Sequence, residues 1–311
     1  MECFLLGSGG MMPMPRRRLT SVLVRTDLHD YLFDAGEGIQ VSFKELGLGI
    51  KRLSVVAITH LHADHCLGLP GLLMLRAQVE DPGPLVIIGP QGIRRFVQNV
   101  RSDLRTYIPY KMKFIEIKTD KQNSGTFFSN SSEHLSWAKL EHSVPCVGFR
   151  LQQKERPGRF HPDKALAAGV PEGPLWGKLQ AGNPVVPDNG KKVFPSDVLG
   201  PPRRGRSMAY VVDTRPCKNM DGLTKDADIA FIEGMFLPEH LETAQEKGHM
   251  TVDEAALHGS RNGVKKLVLV HISPRYNDSQ RSEIQSAARV QYQDAILGKD
   301  LASYTIPLPE E

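Results

Sequence analysis

Short apolar runs, each closed by glycine, proline or a polar turn, set the rhythm of the first half of the chain. Residues 53–59 (LSVVAIT) and 84–89 (PLVIIG) are apolar without alternation, which predicts strands buried on both faces. Further strands are predicted at 2–6, 19–25, 31–34, 113–118, 137–141 and 147–151, with a polar turn (TDLHD) joining the second and third. Helical spacing appears at 40–46, 67–76 and 91–101. The polar stretch 119–134 predicts a turn-rich excursion or an irregular edge hairpin.

The same alternation returns after residue 206. Strands are predicted at 208–212, 227–232 and 266–271, and helices at 236–246, 252–260 and from 278 or 279 to 290. Thr251 followed three residues later by Glu254 reads as a capping box opening the helix at 252. Beyond Gly298 a short strand and a frayed end are expected. Between the two blocks, residues 152–192 are rich in glycine, proline and lysine and hold only short helical stretches, at 162–168 and 175–181. So long a connection without a full element is unusual in a compact domain and predicts an inserted arm. Two packed β-sheets with helices on their outer faces account for the buried strands and the two-block layout.

Composition narrows the class. The chain has 311 residues, 40% hydrophobic and 24% charged, as a soluble globular protein of one large or two modest domains would. No apolar run reaches membrane-spanning length, and the opening residues MECFLLGSGG lack the pattern of a signal peptide. Cys3, Cys66, Cys146 and Cys217 are few and scattered, so a reducing cytoplasm is expected. The net charge of +4 is mild, but Arg16-Arg17-Arg18 and Arg203-Arg204-Gly205-Arg206 are local groups able to track phosphates.

The chemistry concentrates in His60-Leu61-His62-Ala63-Asp64-His65, which follows the apolar run at 53–58. Imidazoles and a carboxylate suit zinc or a similar first-row divalent ion. His60 and His62 can point one way from an extended segment while Asp64 and His65 turn toward a second site. His142, Asp213 and His271 each stand at or just beyond the end of an apolar strand, where functional groups gather. The expected arrangement is a two-metal centre: His60, His62 and His142 on one ion, Asp64, His65 and His271 on the other, and Asp213 bridging. Metals about 3.5–4 Å apart can share a water, lower its pKa and hold a phosphate oxygen, which suits phosphodiester hydrolysis. His249 is a candidate proton donor to a leaving alkoxide, Glu233 a candidate for orienting it, and Asp64 a candidate proton acceptor. Arg275, with Ser273 and Tyr276, is a candidate phosphate contact, and Lys154, Arg156, Arg159 and Lys164 are candidates for distant substrate grip.

THLHADH resembles the H-x-H-x-D-H signature of the metallo-β-lactamase superfamily. GLPGLL after it, HSVPCVGFRL around His142, DTRPC at Asp213, HISPRY at His271 and GVPEGPLWGKLQAG in the arm resemble, in order, the ribonuclease Z family of transfer-RNA 3′-processing endonucleases. The resemblance implies an α/β fold, a four-layer αββα sandwich, built as a single metallo-hydrolase domain over 1–311 with a flexible tRNA-binding arm at 152–192. It implies that Gly173 and Pro174 belong to the arm's tRNA-gripping motif. It implies cleavage of precursor tRNA after the discriminator base, leaving a 3′-hydroxyl on the tRNA and a 5′-phosphate on the trailer. It also implies a homodimer with two divalent ions per subunit, zinc in the family, although manganese, iron or cobalt would suit the same donors. The seven ligand candidates above, Asp64 as general base and the Glu233–His249 pair match the family's positions. Val212 stands where the family has glycine, Gly234-Met235 where it tends to Ala-Thr, and Met250 where it has serine. Other phosphodiesterases or small-molecule hydrolases of the same fold, and a non-catalytic RNA-binding relative, are the competing classes.

Overall fold

The computed structural model of the chain describes residues 1–129 and 132–308. Among them fourteen strands form two seven-stranded sheets. In chain order they are β1 (Glu2–Gly7), β2 (Ser21–Arg25), β3 (Asp30–Phe33), β4 (Leu53–Ala57), β5 (Leu85–Pro90), β6 (Met112–Ile117) and β7 (Ser124–Ser129). There follow β8 (Glu133–Lys139), β9 (Val147–Gln153), β10 (Ser207–Val211), β11 (Ile229–Glu233), β12 (Leu267–Val270), β13 (Ile296–Leu297) and β14 (Ala302–Thr305). The first sheet has the order β14-β1-β2-β3-β4-β5-β6 and the second β13-β12-β11-β10-β9-β8-β7. β1, β2, β3 and β14 pair antiparallel; β3 to β6, and β10 to β13, run parallel.

Alternate residues of each strand serve different cores, which is why the runs read as continuously apolar. Val22, Val24, Tyr31, Phe33 and Ala57 face Phe149, Met208, Tyr210, Phe231 and Val268 in the core between the sheets. Their neighbours Leu23, Leu32 and Val56 pack outward with Phe43, Leu69, Leu72 and Val97 of the helices Ile39–Glu45, Gly68–Arg76 and Ile93–Asp103. On the other side Ala209, Val211, Ile232 and Leu269 pack with Ala255, Ala256, Ile284 and Ala288 of the helices Val252–Arg261 and Arg281–Arg289. These are the four layers of an αββα sandwich. No helix of the described residues is long and apolar enough to cross a membrane.

Some element bounds differ from the sequence reading. β8 begins at Glu133 rather than near 137, and it neighbours β7 at the edge of the second sheet, as the edge-hairpin reading of 119–134 expects. Residues 130, 131 and 309–311 lie outside the described residues, and with them part of that stretch and of the expected frayed end. The helix expected at 236–246 is a 3-10 turn, Pro238–His240, followed by Leu241–Lys247. Leu237, the residue before Pro238, is held extended at φ −72° and ψ 158°, as the proline ring favours, so the helix cannot start earlier. The capping box is present: Thr251 N–H donates to Glu254 Oε2 at 3.0 Å.

By contacts the described residues divide into two compact units: 1–128, 135–151 and 207–307 in one, and 129, 132–134, 152–206 and 308 in the other. The second has its own apolar cluster, Ala165, Val170, Leu179, Val185, Val193 and Val198, with Phe160 and Trp176 packed against it. Trp176 Nε1 donates to Val170 O at 3.0 Å, and bridges pair Arg156 with Arg203 and Phe160 with Leu199. Residues 152–192 lie within this unit.

Candidate metal centre

All seven ligand candidates belong to the first unit and sit where strands end. His60, His62, Asp64 and His65 follow β4, the latter two on the one-turn helix Ala63–Cys66. His142 lies between β8 and β9, Asp213 just after β10, and His271 directly after β12. Asp34, Asp213 and His271 share a left-handed backbone, with φ of 56°, 54° and 60°. Aspartate and histidine tolerate that conformation better than most side chains.

The structure brings the seven together as two nests with one carboxylate between them. His60 Nε2 and His142 Nε2 lie 3.6 and 3.8 Å from Asp213 Oδ2, and His62 Nδ1 lies 3.3 Å from His142 Nε2. His65 Nε2 and His271 Nε2 each lie 3.2 Å from the other oxygen, Asp213 Oδ1, and 3.5 and 3.4 Å from Asp64 Oδ2. Donor atoms around a tetrahedral ion with bonds of about 2.0–2.1 Å would be roughly 3.3–3.4 Å apart, so the spacing fits a shared central cation. His60 Nε2 and Asp213 Oδ1 are buried yet make no hydrogen bond. Buried polar atoms left in that state are costly unless something else satisfies them. The donor set therefore fits a pair of divalent ions.

The outward nitrogens of His65, His60 and His142 are tied down, which orients those rings and leaves their inward nitrogens as donors, whereas His271 Nδ1 is buried without a hydrogen-bond partner. His65 Nδ1 meets Asp34 Oδ2 at 2.7 Å, His60 Nδ1 meets Thr59 Oγ1 at 3.0 Å, and His142 Nδ1 meets Gly248 O at 3.0 Å. Asp64 Oδ2 accepts the Met11 N–H at 2.7 Å. Gly10 packs flat on His271: a Cβ there would lie 2.5 Å from the imidazole.

The electrostatics follow from this crowding. Burial and the neighbouring His65 hold His60 well below the usual imidazole range, and burial with His142 lowers His62. Neutral imidazole is the form that binds metal. Burial would lower His65 as well, but Asp213 and Asp34 carry it well above its ordinary value. Burial would raise Asp213, yet His271, His65 and His60 hold it well below the carboxylate range. Asp64 is lowered too, hydrogen bonds from His271 and His65 outweighing its burial.

His249 flanks both nests, its ring 5.1 Å from that of His142 and 5.5 Å from that of His271. Its Nδ1 meets Glu233 Oε2 at 3.0 Å, and Glu233 Oε1 accepts the Thr214 N–H. Burial works against a charged imidazole, but Glu233 and then Asp213 lift His249 to about 9. Arg215 steadies this corner. It donates to the His249 carbonyl at 2.6 Å and grips both oxygens of Glu254, at 2.8 and 2.5 Å.

The remaining candidates are placed differently. Ser273 is buried and its Oγ accepts the Arg275 N–H at 3.4 Å. Tyr276 is buried, its hydroxyl engaged by the Leu237 N–H and by His240 Nδ1 at 2.8 Å. Arg275 is exposed, its guanidinium 5.1 Å from the Phe236 ring. Lys154, Arg156, Arg159, Lys164, Gly173 and Pro174 belong to the second unit; Arg159, Lys164, Gly173 and Pro174 are exposed, and Gly173 has φ 155° where it opens the helix Pro174–Gln180. Val212 directs its side chain into the core between the sheets. Asp34, Thr59 and Arg215 were not singled out in the sequence. Asp34 had the same signal as the ligands, a carboxylate ending an apolar strand.

A family model described as "Anti-Pycsar protein Apyc1" matches residues 1–142. The chain is 43% identical to a ribonuclease Z of Treponema denticola over 300 residues, 96% of each chain. It is 37% identical to a ribonuclease Z of Methanosarcina acetivorans, covering 98% of each. Its fold is similar to that of human tRNase Z, short form, with a TM-score of 0.72 and 24% identity over 99% of this chain and 100% of that one. On these identities, sustained across nearly the full length of both partners, the chain belongs to the ribonuclease Z family.

Proposed function

We propose that the protein is a metal-dependent endoribonuclease that removes the 3′ trailer of precursor tRNA. The observation that carries the reading is the pair of nests in a chain of this family, with the two oxygens of Asp213 turned one to each. His60, His62 and His142 would hold one cation, Asp64, His65 and His271 the other, and Asp213 both. Bound there, two divalent ions supply Lewis acidity toward a phosphodiester oxygen and acidify the attacking water.

The chain's own groups do the rest. Asp64, fixed by the Met11 N–H, accepts the proton that the water gives up as its oxygen attacks phosphorus. The bond from phosphorus to the tRNA 3′-oxygen breaks, and His249 gives that oxygen its proton. Glu233 holds His249 Nδ1 and favours the charged, proton-bearing form, as a general acid requires. The products are a tRNA 3′-hydroxyl and a trailer 5′-phosphate.

Zinc is the metal we propose, with manganese, iron or cobalt acceptable to the same donors. We propose a homodimer in the cytoplasm, in which residues 152–192 grip the tRNA through Lys154, Arg156, Arg159, Lys164 and the Gly173-Pro174 turn. Arg275, exposed two residues beyond Ser273, is proposed to contact substrate phosphate, with Ser273 and Tyr276 bracing its loop from within. Cleavage of end-labelled precursor tRNA by metal-loaded protein tests the reading, with His65→Ala as control. One cut just after the discriminator, lost in the variant, supports it. Intact RNA at full metal occupancy overturns it.

A further inference from the structure

Positive charge is concentrated in one stretch that the chemistry above leaves unused. Between residues 91 and 121 stand eight cations and three carboxylates, a surplus of +5 in a chain whose net charge is +4. The remainder of the chain is therefore slightly acidic. One of the three carboxylates is engaged inside the fold: Glu116 Oε1 accepts the N–H groups of Gly92 and Arg94, at 2.8 and 3.3 Å, where the helix Ile93–Asp103 begins. Arg94, Arg95, Lys118 and Lys121 are exposed, and none forms an ion pair among the described residues. Arg94 lies over the Phe114 ring, 5.3 Å from its centre, which holds that charge in place.

The fold carries these four cations to the edge of the first sheet that bears the metal motif. β4, β5 and β6 run parallel, so their C-terminal ends lie along one edge. Ile58 N–H donates to Ile88 O at 2.8 Å and Gln91 N–H to Ile117 O at 3.2 Å, which sets the three ends side by side. His60 and His62 follow the first end, Gly92 and the two arginines the second, and Lys118 the third. Neighbouring strands lie about 4.8 Å apart, so Lys118 starts about 10 Å from the end of β4. Leu61, between the two histidines, packs on Gly92, where a Cβ would lie 3.2 Å from Leu61 Cδ1. The Lys121 N–H closes a turn on Lys118 O at 3.1 Å and so keeps Lys121 at the same edge. Asp120 lies in that turn and offsets one of the four charges. Arg94, Gln98 and Arg101 recur at helical spacing and extend the polar, basic face about 10 Å further along the helix.

In the proposed reaction the tRNA 3′-oxygen leaves toward His249, which stands between β11 and β12 of the second sheet. The trailer stays on phosphorus through its 5′-oxygen, off the line of attack and departure, and the basic first-sheet edge lies on its other side. We propose that this edge is the path of the single-stranded 3′ trailer, whose phosphates lie on Arg94, Arg95, Lys118 and Lys121. The proposal rests on the trailer-removal reading for its ligand. Phosphates of a single strand carry the same charge whatever the bases, so such a path takes trailers of any sequence and its grip weakens with salt.

The test uses Arg94→Gln/Arg95→Gln/Lys118→Gln/Lys121→Gln in the full-length protein, with Lys118→Gln/Lys121→Gln as a milder variant that leaves the helix untouched. Two precursor tRNAs are compared, one with a single-nucleotide trailer and one with a long unstructured trailer. Their binding is measured in chelator across salt concentrations, and hydrolysis of bis(p-nitrophenyl) phosphate by the metal-loaded proteins checks the centre itself. The wild type is expected to bind the long-trailer precursor roughly tenfold more tightly, with a salt slope steeper by about 2 to 3, near 0.7 for each phosphate held. The fourfold variant should bind both precursors as the wild type binds the short one. The double variant should lose about half of the extra slope. Both should hydrolyse the small diester unchanged. Wild-type affinity that ignores trailer length, or a length advantage that the fourfold variant keeps, overturns the proposal. So does an equal loss on both precursors, which assigns the face to the tRNA body, and so does altered sedimentation of the variants without RNA, which assigns it to contact between copies of the chain. If the length advantage is seen and lost as expected but metal-loaded wild type leaves the RNA whole, the single-strand path stands and the trailer-removal reading falls.

Discussion

Asp34→Asn removes one charge and almost no volume from the support of the metal centre. The Asp34 carboxylate is fully buried. Oδ1 accepts the Thr59 N–H at 2.7 Å, Oδ2 accepts Tyr210 OH at 3.0 Å and meets His65 Nδ1 at 2.7 Å, and Thr59 Oγ1 reaches both oxygens. In the amide, oxygen must stay toward the Thr59 N–H, so the NH2 turns to Tyr210 and His65. His65 Nδ1 then has to accept, and its proton moves to Nε2, the atom facing Asp213 and His271. That nitrogen can no longer offer a lone pair. Loss of such an outer partner costs about 10–100-fold in metal affinity, or about 1.4–2.8 kcal/mol. The Tyr210 hydroxyl, deprived of its acceptor, adds about 1–3 kcal/mol to the destabilisation of the fold. The loss should fall on the nest of Asp64, His65 and His271, leaving that of His60, His62 and His142 occupied. Chelator competition with metal counting reads this as a drop from two ions to one at limiting metal, and urea unfolding of the apo-protein reads the stability part separately. Two ions held as tightly as in the wild type would refute the argument.

Gly10→Ala places a methyl 2.5 Å from the His271 ring, so either must move; about a tenfold loss of metal at that nest is expected in the same titration, and wild-type affinity would show that the loop yields freely. Arg215→Gln releases the His249 carbonyl and Glu254, and RNA cleavage should fall about 10–100-fold in kcat, because small displacements of a catalytic group are that costly. A p-nitrophenyl diester, whose leaving group needs no proton, should be little affected; equal loss on both substrates would deny that Arg215 acts through His249. Glu254 lies below its ordinary value because hydrogen bonds from Arg215 outweigh burial. Its contribution is therefore full above the unfolded value of 4.5 and lost as pH falls through the folded one. Urea midpoints of the wild type and Glu254→Gln should differ at pH 7 and converge below about pH 4.5, and a gap constant down to pH 3 would refute this.

The layers were legible because strands buried on both faces write themselves as unbroken apolar runs. The ligand candidates were legible because each ends such a run, His271 after β12 and Asp213 after β10. Asp34 obeys the same rule after β3, but the glycines following it made it look like the opening of a loop. Arg215 was invisible for another reason: its partner Glu254 is 39 positions away, and no local pattern links them. Ser273, Arg275 and Tyr276 look alike as polar letters after a histidine, and only packing separates two buried hydroxyls from an exposed guanidinium. The compositional break at 152 was plain. The return at 193–206 was not, because it depends on bridges such as Arg156 to Arg203 that join distant positions.

The left-handed backbone at residues 34, 213 and 271 narrows what evolution can write there. Glutamate would coordinate a cation as well as aspartate does, but a longer side chain at positive φ is disfavoured before coordination is considered. Glycine fits the backbone and brings no donor; asparagine fits and brings no charge. Conformation and coordination thus demand the same few letters independently. Aspartate at 34 or 213 in a related chain therefore testifies to its main-chain path as much as to its activity. His60 and His62, whose backbones are free of that demand, are the better witnesses that a descendant still holds metal.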